Sequence, residues 1–151
     1  MEGKFCIPEY QRPYRLQSKQ IRRLLADIEG HQKREKERLS NAQEEWKELA
    51  PIPYYLGSAI LHRDTKGKLN IIDGQQRITT LALLGQVASK TRCDLVYNSP
   101  ASRRQIVNNL QWLGCASATN KAIGAICFDQ LEFTLVITNS EDDAYAFFEA
   151  A

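Results

Sequence analysis

Residues 70–84, NIIDGQQRITTLALL, place a carboxylic acid, two carboxamides, a guanidinium and two hydroxyls close together: Asp73, Gln75, Gln76, Arg77, Thr79 and Thr80. A carboxylate such as Asp73 suits a divalent metal ion or an incoming proton, and Arg77 suits the negative charge of a phosphate. Gln75 and Gln76 each carry a donor and an acceptor, which is what orienting a water or a hydroxyl requires. A purely structural reading makes Asp73 the N-cap of a helix and Arg77 its ionic partner, and that reading requires neither glutamine.

A second stretch has matching chemistry. IPEYQRPYR, residues 7–15, sets Gln11, Arg12 and Arg15 among Tyr10, Tyr14 and two prolines. Prolines fix φ and stiffen a loop, a planar guanidinium binds oxygens in pairs, and a tyrosine face stacks on a base. The alternative is a surface loop pinned by Pro and Tyr packing.

The elements that must position these groups follow from pattern. Asn70, Ile71 and Ile72 predict a buried strand, Gly74 a sharp reversal, and Ile78, Leu81, Leu83 and Leu84 a helix ending near Lys90. The polar cluster therefore stands at a strand-to-helix junction, where free N–H groups and the helix dipole favour an anion. Upstream, YYLGSAILHR and LNIID read as a hairpin about DTKGK, and GKFCI as a short strand. Ser18 is the expected N-cap of a helix with Ile21, Leu24, Leu25 and Ile28 on one face, continued through residues 29–50 as a charged, solvated helical insertion. DLVYN predicts a further strand. Asn98, Ser99 and Pro100 open a helix whose Ile106, Val107, Leu110 and Leu113 face inward. LEFTLVIT reads as a strand, and Asn139 or Ser140 caps a last helix with an acidic first turn. The class is α+β, a small mixed sheet flanked by helices, with hairpin pairing expected over a doubly wound sheet.

Charge and cysteine usage bound the function. The net charge of +2 conceals 20 basic against 12 acidic groups up to Lys121 and six acidic groups with no basic one after it. A basic body attracts the phosphates of a nucleotide or of nucleic acid, unless the acidic end folds back and neutralises it. No apolar run reaches the roughly 18 residues of a membrane span. Cys6, Cys93, Cys115 and Cys127 form no C-x-x-C pair, and His31 and His62 lack cysteine neighbours at ligand spacing, so reduced thiols in a cytoplasmic protein are expected rather than a zinc site.

The stretches FCIPEYQRPYR, IRRLLADI, YYLGSAIL and IIDGQQRITTLALL together resemble the N-terminal domain of the GmrSD-type, or DUF262, proteins, over residues 4–28 and 54–85. LEFTLVITNSEDDAYAFFEA is similar to the family stretch that leads into an Asn-Thr-Arg-Gly segment. The resemblance implies one domain over residues 1–151 with a ParB/sulfiredoxin-like fold. It implies binding and hydrolysis of a nucleoside triphosphate with Mg2+ in a modification-dependent, type IV-like anti-phage restriction system. Carried onto this chain, Asp73, Gly74, Gln75, Gln76 and Arg77 line the nucleotide site, and Gln11 and Arg12 face it from the other loop. Within that set we expect Asp73, Gln76 and Arg77 to be catalytic, with Asp73 the metal ligand. Gln11, Arg12, Gly74, Gln75, Thr79 and Thr80 are then nucleotide-binding. Two departures stand out: Leu16 lies where the family usually has tryptophan, and no histidine pair of an HNH nuclease follows. A chain truncated at Ala151 is expected to rely on a nuclease domain or subunit elsewhere, with DNA as a partner. The competing expectations are a DNA-binding sensor without turnover and an inactive fragment.

Overall fold

A computed structural model describes residues 5–7, 12–42, 49–89, 95–97, 99–115 and 117–150. In chain order the elements are β1 (Phe5–Ile7), α1 (Ser18–Ser40), β2 (Tyr54–Arg63), β3 (Leu69–Asp73), α2 (Gln75–Ser89), β4 (Leu95–Tyr97), α3 (Pro100–Cys115), α4 (Ser117–Ala125), a 3₁₀ turn (Phe128–Gln130), β5 (Leu131–Thr138) and α5 (Glu141–Ala150). The strands form one sheet in the order β4-β1-β3-β2-β5. The class is α+β, as the sequence predicts. The expected hairpin is present, since β2 and β3 pair antiparallel, but the pairs β1/β3, β1/β4 and β2/β5 are all parallel. Parallel neighbours need crossovers rather than tight turns, and α2 supplies one by carrying the chain from β3 past β1 to β4. Pairing by hairpin alone therefore understates how the sheet is assembled.

Both faces of β2 and β3 are covered, which is why their sequences are nearly continuous apolar runs. Leu61 and Ile71 pack with Ile7, Leu69, Ile78, Tyr97 and Leu135 on one face. One residue along each strand, Ile60 and Ile72 point the other way and meet Val136 and Ala144 of α5. A larger core joins the helices through Ile21, Leu25 and Ile28 of α1, Leu83 and Leu84 of α2, Leu113 of α3 and Ile123 of α4, with Tyr14 from the loop before α1. Val107 departs from expectation. It is exposed, because Ser102, Asn109 and Leu113 are the α3 residues turned fully inward.

Helix starts follow local hydrogen bonding. Ser18 is the first helical residue rather than the cap: Gln20 reaches back so that its Oε1 accepts from Gln17 N at 2.9 Å, and Gln17 is extended. Half of a capping box thus moves the start by one position. Ser140 does cap α5, with Asp143 N donating to Ser140 Oγ at 3.2 Å.

The charged part of α1 is helical to Ser40, and residues 43–48 of the expected insertion lie outside the described residues. Its inner side is engaged. His31 Nε2 lies 2.8 Å from Ile52 O, and the Gln32 carboxamide donates to Cys127 O and accepts from Cys127 N. Glu35 Oε2 accepts from Arg38 Nε and Nη2 and from Ile52 N. The Arg38 guanidinium, then the Ile52 N–H, hold the Glu35 carboxyl below the usual carboxylate range. With the folded pKa depressed, the stabilisation by Glu35 is present above the unfolded value of about 4.3 and is lost as pH falls through the folded value. Urea midpoints of the wild type and Glu35→Gln are therefore expected to differ at pH 7 and to approach one another progressively as pH falls below about 4. A pH-independent difference contradicts this account.

Candidate functional site

Strands β1 and β3 run parallel, so the loop that follows β1 and the turn that follows β3 leave the sheet at the same end. Ligands of open α/β sheets bind at such carboxyl ends. Here the two stretches singled out by composition meet. Gln75 Nε2 donates to Arg12 O at 2.8 Å, Gln76 Nε2 donates to Pro13 O at 3.2 Å, and Arg15 N donates to Gln76 Oε1 at 3.1 Å. Two carboxamides on the first turn of α2 thus clamp the backbone of residues 12–15. Gln76 keeps one Nε2–H and one Oε1 lone pair beyond these bonds.

A buried polar network holds the same loop from behind. Tyr14 is 1% exposed, and its N–H donates to Ser102 Oγ at 2.9 Å. Tyr14 OH lies 3.1 Å from Thr80 Oγ1 and accepts from Asn109 Nδ2. Asn109 Nδ2 also donates to Leu16 O at 2.7 Å, and Gln105 Nε2 donates to Leu16 O and Asn109 Oδ1. Burial pushes the Tyr14 phenol pKa up, partly countered by the bonds from Thr80 and Asn109. Sequence reasoning missed Ser102, Gln105 and Asn109. Polar residues on the inward face of a predicted helix were the available signal.

Thr79 and Thr80 are fully buried. Tyr97 OH donates to Thr79 Oγ1 at 2.6 Å, and Thr80 Oγ1 donates back to Gln76 O at 2.8 Å. Their hydroxyls brace α2 against β4 and the loop, one layer beneath the surface expected to carry them.

Asp73, the last residue of β3, is half-buried. Gly74 rather than Asp73 stands at the helix cap, with Ile78 N donating to Gly74 O at 3.0 Å. Gly74 has φ +83°, and an added Cβ would lie 2.6 Å from Ala59 Cβ and 2.9 Å from Ser58 O. Arg77 does not pair with Asp73; its Nη1 donates to Ser58 O at 2.9 Å. Among the described residues no hydrogen bond or ion pair engages the Asp73 carboxylate or the side chains of Arg12 and Arg15. All three arginines are exposed. Gln11 lies outside the described residues. What the junction offers a ligand is therefore one carboxylate, two unengaged guanidiniums, the remaining donors of Arg77, and the first-turn N–H groups of α2.

No group of three or more His, Cys, Asp or Glu able to hold a metal ion exists among the described residues, and the carboxylate of the described junction residues is that of Asp73. That donor set fits Mg2+, which takes one or two carboxylates and completes its shell with phosphate oxygens and water. No described helix is long and apolar enough to cross a membrane.

The two glycines with positive φ at turns allow a direct test. Gly67 also has φ +77° but nothing within 4 Å of a Cβ. Gly67→Ala is expected to cost about 1–2 kcal/mol from the backbone alone. Gly74→Ala adds the collision with Ala59 and is expected to cost about 2–5 kcal/mol in urea unfolding.

A family model described as GmrSD restriction endonuclease, N-terminal domain, matches residues 1–150. No curated protein matches the chain.

Proposed function

The chain belongs to the GmrSD restriction endonuclease N-terminal domain family, which makes it a restriction-system component, and on that premise we propose that its β3–α2 junction binds a nucleoside triphosphate with Mg2+ and hydrolyses it. The observation that carries this reading is the division of labour at the junction. The glutamines engage the loop backbone, while the Asp73 carboxylate and the Arg12 and Arg15 guanidiniums remain open to a ligand.

The residues divide the work by chemistry. Arg12, Arg15 and Arg77 bind phosphate oxygens and offset the charge that builds on the transferred phosphoryl group. The first-turn N–H groups of α2 add fixed donors for the same oxygens. Asp73 would hold Mg2+, whose chemistry is to neutralise phosphate charge, or would take the proton of the attacking water. Water adds to the terminal phosphorus, the bond to the bridging oxygen breaks, and a diphosphate, inorganic phosphate and a proton leave. Gln75 and Gln76 act as positioning residues by fixing the loop that carries Arg12 and Arg15. Hydrolysis then serves as a switch for DNA cleavage by a nuclease domain or subunit.

Phosphate release from ATP, GTP, CTP and UTP with Mg2+ tests the reading. The wild type is expected to turn over at least one of them. Asp73→Asn and Arg77→Ala, folded by circular dichroism, are expected to lose about 100-fold or more. Absence of turnover, combined with DNA binding that weakens steeply with salt and ignores Asp73→Asn, overturns hydrolysis in favour of a DNA sensor.

A further inference from the structure

The guanidinium of Arg77 has a seat built for it in the sheet. Against β5, the partner of Tyr55 is Glu132 and the partner of Ser58 is Thr134, so Leu56 and Gly57 together oppose Phe133. Two residues opposite one is a β-bulge, a feature that turns backbone groups out of the ladder and recurs beside active sites. Gly57 takes φ +105° there. A Cβ at this position would lie 2.6 Å from Arg77 Nη1, 3.2 Å from Cζ and 3.6 Å from Nε. The Nη1 end of the group therefore occupies the space a Cβ would fill, and Nη1 is tethered to Ser58 O.

We infer that Gly57 is a positioning residue for the phosphate chemistry of the β3–α2 junction, acting through Arg77; the inference rests on the nucleotide reading above. The bulge supplies both halves of the seat. The missing side chain of Gly57 gives the space, and the carbonyl of the next residue, Ser58, gives the tether. A long arginine side chain fixed before the ligand arrives loses less conformational freedom on binding, and it presents its free donors in one direction. The adjacent Ala59 has a parallel role toward Gly74, whose Cα it accepts at close range, so residues 57–59 form a floor under both the helix cap and the arginine.

The test combines kinetics with a measurement on the unaltered protein. Gly57→Ala, Arg77→Ala and the double variant are assayed for Mg2+-dependent phosphate release from the best triphosphate, with stability followed in urea. Gly57→Ala is expected to lower kcat/KM at least tenfold, and to lower it no further in the Arg77→Ala background, because both changes remove the same interaction. A purely structural role predicts losses that multiply, or activity per folded molecule that is unchanged. Turnover that falls with Arg77→Ala but survives Gly57→Ala overturns the inference alone. Absence of turnover in the wild type overturns the nucleotide reading beneath it. If Gly57→Ala does not fold, 15N NMR of the nucleotide-free wild type decides, with Arg77→Lys identifying the signal. Separate, slowly rotating Nη groups of Arg77 support the seat, and one averaged signal refutes it.

Discussion

Everything at the carboxyl end of this sheet depends on two carboxamides that bond a backbone. Residues 12–17 have no secondary structure of their own, yet they must hold two arginines beside a helix start. Ordering residues 12–15 costs about 4–8 kcal/mol in backbone entropy. Four hydrogen bonds, from Gln75, Gln76 and Ser102 to that backbone, contribute about 1 kcal/mol each. Burial of Tyr14 adds about 2–3 kcal/mol. The terms nearly cancel, so the loop is held without a large surplus. Loss of one clamp is enough to release it.

The remaining geometry follows from where β2 can bring its backbone. Gly57, Ser58 and Ala59 sit against the start of α2, and the lack of bulk at 57 and 59 lets Arg77 and Gly74 approach. Replacement of either small residue pushes on the functional end of α2 directly. The opposite face of the same strands has a different task, closing against Val136 and Ala144. One hairpin thus serves as core, floor and tether at once.

Much of this was readable in the residues, and the limits have physical causes. The β2–β3 hairpin, β5 and the start of α2 carry strong local signals, alternation or runs of apolar residues ended by Asp or Gly, and the structure has them. The meeting of DGQQR with the loop before α1 could be anticipated only as two stretches with matching chemistry, because the contact spans more than sixty positions and leaves no periodic trace. The destination of the glutamines was hidden for the same reason. An amide suited to water is equally suited to a peptide group, and only tertiary placement chooses between them. Asp73 looked like a cap because it precedes a helix, but the positive φ of Gly74 moves the cap one residue on and leaves the carboxylate free. Ser102 and Asn109 share the inner face of α3 with Leu113, but a polar residue type does not by itself signal burial.

The parallel placement of β1 has a consequence for the order in which the molecule comes into being. Tyr14 N–H finds its partner in Ser102, 88 residues later, and the Tyr14 hydroxyl finds Asn109, 95 residues later. On a ribosome, Tyr14 must wait until residues 102–109 are made before its native partners exist. Closing loops of this length is entropically costly and slow compared with forming a hairpin or a helical turn. The turn between β2 and β3 and the helical turns of α1 need only near neighbours to form and are available early. The arginine loop therefore locks only once α3 is made, and the bulge beneath Arg77 is completed later still, when residues 131–138 bring β5 alongside β2.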